Sequence, residues 1–248
     1  TGGTVSVDSG QTLTVTNAIT VTPKSGANSQ GTITGAGSMT AASVAVGTSI
    51  STGFSVYNVT LYSTINSLSV TNQITLLGLF GYFGGNQPYL YINSGTVTAA
   101  GISITNPFQA FVYMNSSPQT GYLNLTSNTP WTISGAGSTT INLNGSDSTV
   151  EYSGGAETVY ATTYRHLKLS GSGTKTMTNV STINGNLTMS GTAAATTAVN
   201  TTIGGYLTVG DDTSFTAAGY NLSVAATTTV GGGVLGLGFA DLRRVGGE

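Results

Sequence analysis

The sequence predicts an all-β fold, a right-handed parallel β-helix: a solenoid with coils of about 20 residues. Three observations carry this expectation. Val, Ile, Thr and Tyr, which favour strands, are abundant, and apolar residues alternate with period two instead of the helical period. Gly, Asn and Ser interrupt the apolar runs every few residues, so no long helix can persist. The runs also recur at a fixed spacing, the mark of stacked repeats.

Short strands follow along the whole chain. Val5-Ser6-Val7, Leu13-Thr14-Val15, Ile102-Ser103-Ile104, Leu123-Asn124-Leu125 and Ile141-Asn142-Leu143 each set one polar residue between two apolar ones. The clearest ladder starts at Leu167-Lys168-Leu169, repeats 20 residues on at Leu187-Thr188-Met189, and after another 20 at Leu207-Thr208-Val209. Leu222-Ser223-Val224 follows at a shorter step of 15. A turn precedes each unit, such as Asn184-Gly185-Asn186 and Gly204-Gly205-Tyr206. A fainter ladder runs from Leu13 to Ile33 to Phe54, and another from Ile102 to Leu123 to Leu143. Residues 50–120 depart from the period and are richer in aromatics, so an irregular or inserted region is expected there within a single solenoid over 1–248.

A three-residue apolar strand cannot bury itself. Stacking equivalent strands in parallel pairs their backbones and fills a shared interior, and about a dozen such coils at roughly 4.8 Å each would make a rod on the order of 60 Å long. The units NGNLTMSGT and GGYLTVGDD, within Tyr164 to Val224, resemble the repetitive parallel β-helices of bacterial surface proteins, the filamentous-haemagglutinin-like and autotransporter-passenger regions. The resemblance covers about a quarter of the chain well. It implies an extracellular, cell-surface location and an adhesive or structural role, with host or surface glycans as partners.

Composition narrows the classes further. Only 6% of the 248 residues are charged, and none lies between Lys24 and Asp147. A net charge of -2 offers no basic footprint for nucleic acid. Cysteine is absent, which excludes disulfides, thiolate metal sites and a Cys nucleophile. The apolar stretch Ile74 to Ile92 holds four Gly together with Asn86, Gln87 and Pro88, so a buried strand pair around a Gly-rich turn is expected there, not a membrane span. Starting at Thr1, the chain fits a signal-cleaved secreted product or an excised fragment. Eight Asn-x-Ser/Thr sequons, at Asn58, Asn115, Asn124, Asn144, Asn179, Asn186, Asn200 and Asn221, are a small excess over chance and suit a glycoprotein.

Asp147, Glu151, Glu157, Arg165, His166, Lys168 and Lys175 form the one charge cluster. Alternation turns Val150, Tyr152, Leu167 and Leu169 inward and Glu151, His166 and Lys168 outward, so Glu151 and His166 could meet on one surface. General acid–base catalysis would need that proximity and a pocket. A solvated face with weak salt bridges is the plainer reading. With a single histidine, no catalytic, cofactor or metal residue is expected. Asp211-Asp212 lacks the repeat calcium motif, and the Thr-x-Thr triplets at Thr12, Thr20, Thr32 and Thr96 are too irregular for an ice-binding face.

The C-terminal stretch 230–248 is a cap, a donor strand or a linker. Val234, Leu235, Leu237 and Phe239 are its candidate assembly contacts. The charges Asp241, Arg243, Arg244 and Glu248 would blunt that end as an edge, leaving the N-terminal edge as the docking surface. Function is accordingly expected to be non-enzymatic: an adhesive or structural surface segment. The alternative is a β-sandwich subunit of a pilus-like homopolymer, self-associating by strand exchange. A carbohydrate-active β-helix enzyme is the remote third reading.

Overall fold

A computed structural model describes residues 2–23, 28–48, 56–78, 85–105, 109–114, 120–135 and 137–237. These form 23 strands, and every pairing between them is parallel. The result is an all-β stack of parallel sheets, compatible with a β-helix or solenoid-like fold. Among the described residues no helix is long and apolar enough to cross a membrane.

The strands fall into three columns. The first takes in Gly2–Ser6, the first parts of Ser29–Gly47 and Val56–Leu77, then Gly85–Ile92, Gln109–Tyr113 and Ser138–Asn142. Isolated bridges at Leu143, Tyr164 and Ile183 carry it on to Thr182–Ile183, Thr201–Ile203 and Leu222–Val224. The second column is unbroken. Leu13, Met39, Leu68, Val97, Leu123, Val150, Leu167, Leu187, Leu207 and Thr228 are successive register partners. The third holds the ends of the long early strands and Trp131–Ser134. It resumes separately as Glu157–Thr158, Ser172–Met177, Thr192–Thr197, Ser214–Thr216 and Val234–Gly236.

The expected column Leu167–Leu187–Leu207 is therefore present and fully buried. Three expectations need correction. Leu222 is not its fourth member: Thr228 occupies that place, and Leu222 pairs with Thr201 in the first column. An apolar-polar-apolar triplet looks the same on all three faces, so spacing alone misassigned it. The early ladder is also differently phased. Leu13 partners Met39, not Ile33, and Ile102 partners Trp131, not Leu123. Register steps in the second column lie between 26 (Leu13 to Met39) and 29 (Met39 to Leu68), drop to 17 from Val150 to Leu167, and then settle at 20 (Leu167 to Leu187). Longer strands in the N-terminal half, 19 residues over Ser29–Gly47 and 22 over Val56–Leu77, stretch the period. Finally, Ile74–Leu77 and Gly85–Ile92 do not pair with each other. The first pairs with residues 102–105 and the second with 56–63. Phe54 lies outside the described residues.

Interior side chains form one cluster from Val7 to Phe215. At the end strands burial fails: Val5, Leu13, Val230 and Val234 are exposed, with no further strand over them among the described residues. Between the long and short levels, Tyr152 and Tyr164 fill the interior. Their hydroxyls lie 2.8 Å apart, Trp131 Nε1 donates to the Tyr152 hydroxyl at 2.9 Å, and the Tyr164 hydroxyl donates to the Tyr160 carbonyl at 2.6 Å. Burial pushes the Tyr152 phenol up to about 12, so it keeps its proton and the network stays neutral.

Turns are stapled between levels by side-chain amides. Asn186 Oδ1 accepts from Tyr206 N at 2.9 Å, Asn200 Oδ1 from Asn221 N at 3.0 Å, and Asn128 Oδ1 from Gly155 N at 2.7 Å. A turn that cannot complete its own ladder thus borrows an acceptor from the level before it. Gly171 and Gly191, stacked 20 residues apart, both adopt φ near +70°, and a Cβ on Gly171 would meet Ser153 O at 2.2 Å. Only glycine tolerates both conditions.

Candidate functional site

The charge cluster sits at the level where the register step shortens, and it is not one solvated surface. Strand Thr149–Tyr152 lies beside His166–Leu169 with Glu151 opposite Lys168 and Thr149 opposite His166. Glu151 therefore meets Lys168, not His166. Lys168 Nζ is 3.0 Å from Glu151 Oε1, Ser170 donates to the same oxygen at 2.5 Å, and Tyr122 donates to Oε2 at 2.5 Å. These donors cover Glu151 so well that it is only 8% exposed despite facing outward. Burial pushes its carboxyl up, but the bonds from Ser170, Tyr122 and Lys168 outweigh burial and hold it below the usual glutamate value.

His166 Nδ1 accepts the Asn186 N–H at 3.0 Å, which leaves Nε2 facing Asp147 Oδ1 at 3.9 Å. Burial and then the Arg165 guanidinium lower its pKa, with Asp147 opposing. The ring is thus spent on holding the next turn. An open groove of about 430 Å³ borders it, lined by Thr120, Asp147, Thr149, His166, Lys168 and Thr188.

Glu157 and Lys175 correct the expectation of a solvated face most sharply, because both point inward. Lys175 is 0% exposed and pairs with Glu157, itself 5% exposed. Its ammonium also donates to Gly154 O and Gly155 O, each at 2.7 Å. Ala195 stands next to Lys175 in the column, followed by Phe215 and Leu235. The small alanine leaves room for a long side chain, and three acceptors match three protons. Burial holds Glu157 above its ordinary value even beside Lys175. Parity contained this signal, since Lys175 and Met177 alternate with exposed Thr174 and Thr176.

Val234–Gly236 pairs within its own chain, Phe215 opposite Leu235. Val234 is 63% exposed, Leu237 is exposed, and Leu235 packs against the core. Phe239, Asp241, Arg243, Arg244 and Glu248 lie outside the described residues. At the other end, Val5, Ile19, Val21, Ile33 and Leu61 line an open groove of about 460 Å³. Asn144, Asn179, Asn200 and Asn221 are exposed, whereas Asn124 sits mid-strand and accepts from Ser153 at 2.6 Å; Asn115 lies outside the described residues. Among the described residues, no group of three His, Cys, Asp or Glu could hold a metal.

A second feature escaped sequence reasoning beyond the note that residues 50–120 are rich in aromatics. On the outward side of the first column, Tyr62, Tyr91 and Tyr113 are register partners, as are Tyr89 and Phe111. Ring centroids stand 4.7 Å apart for Tyr62–Tyr91, 5.2 Å for Tyr91–Tyr113 and 4.3 Å for Tyr89–Phe111, all stacked. Leu90, Ile92 and Val112 are buried by the same alternation that leaves the rings half-exposed. Gln87 Nε2 donates to Gln109 Oε1 at 2.7 Å, and Tyr89 donates to Gln87 Oε1 at 3.2 Å, so an amide rung borders the rings. The signal was the aromatic-x-aromatic triplets Tyr89-Leu90-Tyr91 and Phe111-Val112-Tyr113, 22 residues apart. No protein-family model, curated protein or solved structure matches the chain.

Proposed function

We propose that this chain is a stretch of an extracellular, cell-surface protein with a structural and adhesive role, non-enzymatic, and built as a right-handed parallel β-helix whose later coils take about 20 residues. The unbroken parallel register from Leu13 to Thr228 carries this reading. Such a stack is a stiff rod with side faces free for display, and here Thr, Ser, Asn and Tyr hydrate those faces in place of charge. The resemblance of Tyr164 to Val224 to surface β-helices points the same way. Antibody labelling and protease shaving of intact cells producing the protein test the location. Signal only after permeabilisation refutes it.

The pilus-like alternative draws support from the exposed Val234 and Leu237 and the apolar N-terminal groove. Three observations weigh against it. A β-sandwich subunit is antiparallel, Val234–Gly236 is paired in cis, and the two ends differ in step, 26 residues against 21 (Leu207 to Thr228). Head-to-tail stacking would set unlike perimeters against each other. Light scattering distinguishes the two readings: a monomer supports the rod, and a polymer supports the filament.

A further inference from the structure

We propose that the aromatic ladder of the first column is a binding platform for a neutral, extended polysaccharide laid along the stacking direction. The proposal rests on the extracellular adhesive reading and names the ligand class for it.

Placement comes first. Tyr62, Tyr89, Tyr91, Phe111 and Tyr113 occupy the outward positions of three consecutive strands, while Leu61, Leu90, Ile92 and Val112 fill the core beneath. The interior does not need these rings. Five half-exposed aromatics on one face form the kind of patch that marks an interaction site.

The chemistry then selects the partner. Stacking consumes the ring faces between levels, so edges and phenol groups meet the solvent. Four of the five rings are tyrosines, and the Tyr91 ring stands 4.7 Å from Tyr62, 5.2 Å from Tyr113 and 6.1 Å from Tyr89. Partial burial raises Tyr89 and Tyr91, so both phenols stay protonated and can donate as well as accept. The Gln87–Gln109 rung adds amide groups beside them. The surface is therefore rich in hydroxyls and amides around apolar ring edges.

Charge completes the selection. No Lys, Arg, Asp or Glu occurs between Lys24 and Asp147, the stretch that contains the entire ladder. A sulfated or uronic-acid polymer, like a nucleic acid, would call for cations. Aromatic rings are also enriched at protein interfaces, so light scattering has to exclude a second copy as the occupant. A neutral polyol needs only what is here. The repeat fits as well: strands stack at about 4.8 Å, close to the advance of one sugar in an extended glycan, so successive sugars meet successive tyrosines.

Native affinity electrophoresis of the 248-residue protein tests this, in gels carrying hydroxyethylcellulose, glucomannan or xyloglucan, with alginate as the acidic control. Retardation by at least one neutral polymer is expected, and little by alginate. Tyr91→Ser with Tyr113→Ser should weaken binding at least about tenfold, as for loss of central anchors. Tyr91→Phe with Tyr113→Phe keeps the rings and should weaken it by a smaller factor. If the serine pair does not fold, by circular dichroism and gel filtration, the phenylalanine pair decides. Three results overturn the proposal: no neutral polymer retards the protein, alginate retards it more strongly, or the variant that decides binds as the parent does. Light scattering that shows a dimer dissolved by the same variants also overturns it, because the occupant is then a second copy. Each of these outcomes leaves the surface-labelling result untouched, so the two readings fail independently.

Discussion

Replacing Lys175 by Met should destabilise the protein more at neutral than at acid pH. Lys175 is fully buried, and its protons go to Gly154 O, Gly155 O and the Glu157 carboxylate. Methionine fills irregular core space well, so the loss is mainly electrostatic. A buried carboxylate loses its paired cation, and two carbonyls lose a donor. Removing one member of a buried pair costs about 3–5 kcal/mol. Glu157 already sits above its ordinary value through burial, and without the ammonium it should rise further. A folded-state value raised above the unfolded one means that the folded chain binds the proton more tightly. Stability of the variant is then greatest below the unfolded value and falls as pH rises through the folded one. Urea titration followed by circular dichroism should show the full deficit at about pH 7 and less than half of it at about pH 4. Replacing Lys175 by Met and Glu157 by Leu together removes both charges and should restore most of the loss. A single variant within about 1 kcal/mol of the parent, or a double variant as unstable as the single, would show that Lys175 lies in water and not inside the stack.

Other outcomes follow from the same geometry. Leu187→Ala should cost about 2–5 kcal/mol by opening a cavity in a fully buried column, whereas Val234→Ala, at 63% exposure, should stay within about 0.5 kcal/mol; equal effects in urea titration would contradict the column. Glu151→Gln should cost about 1–3 kcal/mol at neutral pH. Because the folded Glu151 value is lowered, that stabilisation exists above the unfolded value and is lost as pH falls through the folded one, so parent and variant should converge in acid. Reducing-end assays on common polysaccharides should read as buffer, since Glu151 and His166 are each committed to other partners; turnover abolished by Glu151→Gln would contradict this.

The 20-residue spacing was legible because successive levels must place equivalent residues one strand apart, and Leu167, Leu187 and Leu207 do so without an insertion. The N-terminal half obeys the same rule, but its steps of 26 to 29 residues hide it, since its strands run as long as 19 and 22 residues and each level therefore takes more chain. Leu222 had the correct triplet and the wrong face. Its 21-residue partner is Thr201, and nothing within the triplet records which column it joins.

What the sequence determined by itself is the strand content, the inward and outward parity, and the parallel stacking, because alternation and a repeated spacing are local properties. Lys175 belongs to a charge cluster expected to be solvated, although it stands at an inward place in the alternation. Only the tertiary structure decided that the interior would accept it, because the room beside Ala195 and the acceptors of Gly154, Gly155 and Glu157 come from neighbouring levels. The aromatic face has the same origin. Each Tyr or Phe is placed by its own strand, but a ladder of rings about 5 Å apart exists only once register sets those strands side by side.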